Sequence, residues 1–251
     1  MGIGRAYACE LAKEGLNIML ISNDPDSLTQ TAEEIEATYG VKTKAILGDF
    51  TEPDLIEKLR PEIEQLPSVA CLVNNVGMFC PLREAAISGG LISLEFIQKI
   101  IKCNMASGTN MSHLVAPILL RQNRPNAAII NISSQSAFMP LPYISLYGAS
   151  KAYISHFSLA LEEELRGRGI IVQTVYPAIV ATRLSGITRA SFVIPDPETF
   201  VKSALDLLGV ENRTAGYIGH ALQRLITLKL PDFMTKLRIQ KKLKKELSLN
   251  R

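Results

Sequence analysis

Several features are scarce in this sequence of 251 residues, and each scarcity removes a class of function. No apolar run approaches the ~20 residues that a membrane-crossing helix needs, and no secretory signal pattern is present. The four cysteines, Cys9, Cys71, Cys80 and Cys103, form no CxxC pair and lie in or beside apolar segments. That pattern predicts buried, reduced thiols rather than a disulfide framework or a zinc centre. The three histidines, His113, His156 and His220, stand at no metal-ligand spacing, so structural roles are expected of them and no metal site is predicted. A net charge of only +3 gives no global case for nucleic acid as a partner. Repeats and low-complexity tracts are lacking as well.

What is present fits one large α/β domain. Hydrophobic residues make up 47% of the chain, ample for a core at this length. Charge is uneven, however: KLRIQKKLKKELSLNR, residues 236–251, holds seven lysines and arginines against one glutamate. A globular unit over residues 1–235 followed by a basic tail is therefore expected. Such a tail is either a solvated helix face or a contact with an anionic membrane surface, and the apolar LITLKLPDFM before it favours the membrane.

Along the chain, apolar runs alternate with helical patterns. MGIGRAYACELAKEG reads as a turn into a helix, with Gly2 and Gly4 able to bring backbone close to a phosphate at the helix N-terminus. A plain tight turn has the same pattern. A dinucleotide site of this kind follows a strand, and no residues stand before Met1 to form one, so an amino-terminal truncation is expected. LNIMLIS reads as a buried strand ending at Ser22 and Asn23; a neutral residue at that tip leaves room for a 2′-phosphate. Asp26 or Ser27 is the expected cap of the next helix, which Gly40 would end. VKTKAILGDF and TEPDLIEKLRPEIEQL repeat the unit, with Pro61 expected to kink or split the helix. VACLVNNVG is a strand whose Asn74, Asn75 and Gly77 suit either a simple turn or a ligand.

A long helical stretch from about Ser93 to Arg121 contains Asn104, a polar amide that needs a partner in a packed helix. The run AAIINISS is a buried strand that puts Ser134 at its carboxyl end, where ligands of open α/β sheets bind. Tyr147 and Lys151, four apart on the following helix, share one face, so the ammonium is expected to favour the ionised phenol. GIIVQTVYPAIVATRL is a further strand with Pro177 and Thr182 beyond it; the irregular segment 183–198 reads as a mobile loop over the site, and PETFVKSALDLLG as a helix. The alternation predicts a doubly wound, Rossmann-like parallel sheet with helices on both faces, lacking its first strand.

Taken together, GIGRAYACELAKEGLNIMLIS, LVNNVGM, NISSQSA, PETFVKSAL and RTAGYIGHAL resemble the short-chain dehydrogenase/reductase family over nearly the whole chain. They look most like its microsomal branch of 17-beta-hydroxysteroid dehydrogenases and very-long-chain 3-oxoacyl-CoA reductases. The resemblance implies a proton donor at Tyr147, a supporting Lys151 that also binds the nicotinamide ribose, a carbonyl-polarising Ser134, and an Asn104 that holds a relay water. It implies a dinucleotide over Gly2, Ile3 and Gly4 at the pyrophosphate, Asp49 and Phe50 near the adenine, Asn75 to Gly77 along the ribose, and Pro177 and Thr182 at the nicotinamide. NADPH is the implied cofactor, with NADH kept open because Asn23 stands where the branch has an arginine. The implied activity is reduction of a ketone on a lipid-like substrate, a 3-oxoacyl-CoA ahead of a 17-ketosteroid. A membrane-associated binding or scaffold protein derived from such an enzyme is the alternative. The branch further implies the cytosolic face of the endoplasmic reticulum membrane and leaves a homodimer open.

Overall fold

The computed structural model describes residues 2–79, 92–139, 141 and 144–229. Cys80 and the basic tail 236–251 lie outside the described residues. Six parallel strands alternate with helices: α1 (Ile3–Lys13), β1 (Ile18–Ser22), α2 (Pro25–Tyr39), β2 (Thr43–Leu47), α3 (Leu55–Glu64) and β3 (Cys71–Asn74). There follow α4 (Leu94–Ile101), α5 (Ser107–Gln122), β4 (Ala127–Ile132), α6 (Ser145–Glu164), β5 (Ile170–Val175), α7 (Pro197–Asp206), β6 (Arg213–Thr214) and α8 (Ile218–Lys229). The parallel ladders run β1-β2 and β3-β4-β5-β6, so the described strand pairings form two sheets. Parallel neighbours need crossovers, and the helices supply them.

Both faces are covered, and strand alternation shows how. In β4 every residue is buried; Ile129 packs with Leu59, Val115 and Leu119 of α3 and α5, whereas Ile130 and Ile132 pack with Tyr7 of α1 and Phe200 of α7. Met19 and Ile21 of β1 join the first of these clusters beside Leu72 of β3, so the two sheets share one helical layer. On the opposite face α1 spans both, with Tyr7 toward Val73 and Ala8 and Ala12 toward Ile18 and Leu20. A fully buried side chain such as Ile129 contributes roughly 1.5–3 kcal/mol by the area removed from water.

Four local readings are corrected. The α2 cap is Asp24, whose carboxylate accepts the Ser27 N–H at 3.1 Å, because Pro25 takes the first helical position; Gly40 does end the helix, at φ 68°. Pro61 does not split α3, which runs unbroken over Leu55–Glu64: the proline is exposed while Leu55, Leu59 and Ile63 keep the other face anchored. The stretch Ser93–Arg121 is two helices joined by a π-helical turn, Lys102–Ala106, which holds Asn104. β1 and β3 are only partly buried, unlike β4. Among the described residues no helix is long and apolar enough to cross a membrane.

Candidate active site

The site is built at the carboxyl ends of β3, β4 and β5. Ser134 follows β4 in extended conformation, and its hydroxyl accepts the Ser136 N–H at 3.1 Å, starting a 3₁₀ turn over Gln135–Ala137. Two bonds fasten α6 to the end of β4. Ser133 Oγ donates to the Lys151 carbonyl at 2.8 Å, and Lys151 Nζ donates to the Ile132 carbonyl at 2.9 Å. Lys151 is 5% exposed, and its Nζ lies 5.8 Å from the centroid of the Tyr147 ring, one turn away on the same face. The Tyr147 ring is held edge-on by Phe79, with centroids 5.0 Å apart.

Burial sets the protonation of both groups. It pulls the Lys151 ammonium down to about 8, with the Cys103 thiol as a weaker opposing influence. The Tyr147 phenol moves up from its ordinary value through burial, and a hydrogen bond with Ser134 pulls it partly back. This reverses the expectation that the ammonium favours the ionised phenol. Desolvation sets the direction here, and Lys151 gives its bond to Ile132 rather than to the phenol.

Asn104 sits opposite. Its Oδ1 accepts the Met78 N–H at 2.7 Å, and its Nδ2 donates to the Met78 carbonyl at 3.0 Å and to Ser150 Oγ at 3.0 Å. Ser150 Oγ in turn donates to the Tyr147 carbonyl at 2.7 Å. The amide therefore ties the segment after β3 to the helix carrying Tyr147 and Lys151. Gly77 runs between them: a Cβ placed there would lie 3.5 Å from Lys151 Nζ and 3.7 Å from Asn104 Oδ1.

The residues that the resemblance assigns to a dinucleotide stand at the start of α1 and at or beyond the ends of β1, β2, β3 and β5. Gly2 precedes α1 with extended backbone, no side chain caps the helix, and a Cβ on Gly2 would meet nothing within 4 Å. An uncapped helix N-terminus with open space before it fits a pyrophosphate, which first-turn N–H groups such as those of Ile3 and Gly4 would bind. Gly4 lies against Asn75, whose Nδ2 would be 2.5 Å from a Cβ there. At the tip of β1, Ser22 Oγ accepts the Asp24 N–H at 3.2 Å, and Asn23 Nδ2 donates to Asp49 Oδ2 at 3.2 Å. Asp49 also accepts the Thr51 N–H at 2.8 Å, chiefly which holds its carboxyl below the ordinary value. Phe50 packs against the core, Pro177 accepts the Gln135 N–H at 3.0 Å, and the Thr182 N–H donates to Ser185 Oγ at 3.1 Å.

Sequence patterns missed other residues here, and the partners of Asn74. Gln135 Nε2 donates to the His220 carbonyl at 2.9 Å, while His220 Nδ1 accepts the Ala178 N–H at 3.3 Å, so its Nε2 donates to Ile179 O at 3.2 Å. Fully buried and with its pKa lowered by burial, this imidazole fastens the segment after Pro177 to α8. Asn74 Nδ2 likewise donates to Asn131 Oδ1 at 2.7 Å and to Ser112 Oγ at 3.1 Å. These partners are 38 to 85 positions apart, beyond any local motif; only Ser150, three residues from Tyr147, was within reach of spacing arguments. Cys9, Cys71 and Cys103 are free thiols, and burial raises Cys71 to about 12 and Cys103 to about 11.

Parallel sheets with helices on both faces, and serine, tyrosine and lysine gathered beyond the strand ends, define a nicotinamide-dependent oxidoreductase. The family model for short chain dehydrogenases matches residues 1–191, and the chain belongs to that family. It is 41% identical over 233 residues to the very-long-chain 3-oxoacyl-CoA reductase of Bos taurus, covering 93% of this chain and 73% of the relative. It is 38% identical over 237 residues to the inactive hydroxysteroid dehydrogenase-like protein 1 of Homo sapiens, covering 93% and 70%. Among solved structures, the short-chain dehydrogenase of Sphingobium yanoikuyae in complex with NADPH is similar with a TM-score of 0.76 at 28% identity, covering 85% of this chain and 82% of that one.

Proposed function

We propose that this chain reduces the ketone of a 3-oxoacyl-CoA, with a 17-ketosteroid as the next substrate class, and that NADPH is the cofactor. The observation that carries the reading is the convergence of Ser134, Tyr147 and a buried Lys151 beyond the end of β4, in a chain 41% identical to a 3-oxoacyl-CoA reductase. NADPH supplies the hydride when bound. Gly2, Ile3 and Gly4 would hold its pyrophosphate, and Ser22, Asn23, Asp49, Phe50, Asn75 and Gly77 its adenosine end. Tyr147, Lys151, Pro177 and Thr182 would hold the nicotinamide end.

The chain's own groups manage charge and protons. Ser134 Oγ donates a hydrogen bond to the substrate carbonyl oxygen and strengthens it as negative charge develops. The Tyr147 phenol, kept protonated by burial, gives its proton to the same oxygen and so completes the alcohol. Lys151, pulled to about 8, stabilises the phenolate left behind and exchanges protons with solvent near neutral pH. Asn104 holds Met78 and Ser150 and so fixes the floor on which these groups meet; a relay water beside it would connect Lys151 to solvent. No metal takes part in this scheme.

The basic tail 236–251 would rest on an anionic membrane surface, on the cytosolic face of the endoplasmic reticulum, and the long helices would serve a homodimer. A second reading, a non-catalytic binding or scaffold protein, is favoured by the 38% identity to a relative named inactive. NADPH oxidation against a panel of 3-oxoacyl-CoAs and ketosteroids separates the two. Turnover of a 3-oxoacyl-CoA is expected; a raised melting temperature with NADPH but no turnover of any ketone would support the second reading. Flotation with anionic vesicles, before and after deletion of residues 236–251, tests the tail, and loss of binding on deletion is expected.

A further inference from the structure

The tip of β1 faces the adenosine end of the proposed cofactor site, and it offers a 2′-phosphate no cation. Ser22 is neutral, Asn23 is neutral and bonded to Asp49, and Asp24 is acidic. A phosphate arriving there would meet two carboxylates, Asp24 and Asp49. Nearby cations on other elements are committed elsewhere: Lys99 Nζ to Glu95 at 2.7 Å, and Arg5 to Glu34 and Glu198.

Among the described residues, one cation reaches this place from the segment after β5. Arg183 directly follows Thr182, in the segment beyond β5 and Pro177, yet its Nη1 donates to Asp24 Oδ2 at 3.1 Å across 159 positions. Its side chain is 77% exposed, and Nη1 is its only hydrogen-bonding atom among the described residues. The remaining guanidinium donors are free for a second anion. Asp24 does not depend on Arg183 for its place, since Oδ1 accepts the Ser27 N–H as the cap of α2.

We propose that Arg183 recognises the 2′-phosphate of NADPH, turning from Asp24 to the phosphate when the cofactor binds, so that selectivity over NADH comes from the segment after β5. The proposal rests on the nicotinamide-cofactor reading above and names the residue that discriminates within it. Chemistry favours the exchange. A solvent-exposed, single-contact ion pair is weak, whereas a planar guanidinium meets a phosphate dianion with two parallel bonds. The Asp24 carboxyl lies below its ordinary value, chiefly through Ser27 and next through Arg183, so both partners are charged at neutral pH and the pair holds Arg183 in position before the cofactor arrives. NADH has nothing to offer this cation, which then stays with Asp24.

Equilibrium titration of the intact chain tests this, with NADPH, NADH, 2′,5′-ADP and 5′-AMP as probes and the variants Arg183→Gln, Arg183→Lys and Asp24→Asn. Arg183→Gln is expected to weaken NADPH and 2′,5′-ADP by about ten- to a hundredfold, the worth of a charge-assisted hydrogen bond, and NADH and 5′-AMP by less than twofold. Arg183→Lys should recover part of the loss, because a point charge remains without the planar fork. Asp24→Asn keeps a capping side chain and removes the competitor, so NADPH should bind more tightly. Thermal melts of each variant establish that it is folded. Equal weakening of NADPH and NADH in Arg183→Gln, or no weakening of either, overturns the assignment. So does a wild-type chain that binds 2′,5′-ADP no better than 5′-AMP while still binding NADH, an outcome that leaves the cofactor reading standing. A wild-type chain that binds neither dinucleotide overturns the cofactor reading, and the assignment with it.

Discussion

The Asn104 amide brackets the backbone of Met78, accepting its N–H at 2.7 Å and donating to its carbonyl at 3.0 Å. One side chain thereby satisfies both polar groups of a residue in the loop after β3, and the π-helical turn is the local geometry that carries it. Asn104→Ala leaves the two backbone groups and Ser150 Oγ without this partner. A loss of about 1–3 kcal/mol in urea unfolding is expected, together with a fall in turnover because the Gly77 floor is released. Unchanged stability would mean that water replaces the amide freely.

Tyr147→Phe removes the phenolic proton and little else, since the ring keeps its edge-on contact with Phe79. Turnover is expected to fall by about 10²–10⁴-fold, the usual worth of a positioned acid, while titration still shows cofactor binding. Near-wild-type rates in this variant would reassign the proton donor.

The buried lysine predicts a pH profile. Lys151 is an ammonium below about 8 and loses its proton above that, so the rate of reduction should hold through neutral pH and fall with a midpoint near 8. The phenol, raised by burial, stays protonated over that range and does not set the limb. Stability carries the opposite sign. Between about 8 and the ordinary lysine value of 10.5 the unfolded chain binds the extra proton, so this group's contribution makes the fold more stable as pH rises. Stopped-flow rates and denaturant melts across pH 6 to 10 read the two effects separately; a reduction rate flat through pH 9 would exclude Lys151 from the proton path.

Gly216 lies at φ 74°, and a Cβ there would meet Phe200 at 2.8 Å and Val175 at 2.9 Å. Gly216→Ala combines left-handed strain with overpacking against fully buried side chains, so a destabilisation of about 2–4 kcal/mol is expected. Gly77→Ala differs: its new methyl would sit in ordinary contact with Lys151 and Asn104, so thermal stability should change little while turnover falls. Equal melting temperatures for Gly216→Ala and the wild type would refute the packing argument.

The sequence by itself determined the parts that depend on spacing along the chain. The apolar run AAIINI predicted a strand buried on both faces, and β4 is that; a tyrosine and a lysine four apart on a helix share one face, and Tyr147 and Lys151 do. Tertiary structure decided what depends on distance through space and on water. Pro61 could stay inside α3 because its own face is solvent and the opposite face is anchored, which no local rule for proline contains. Desolvation, a property of the packed interior, moved Tyr147 against the direction its neighbour alone would give. Long-range pairing brought Arg183 to Asp24 and Gln135 to His220, because helices and loops converge at the strand ends only once the sheet has formed.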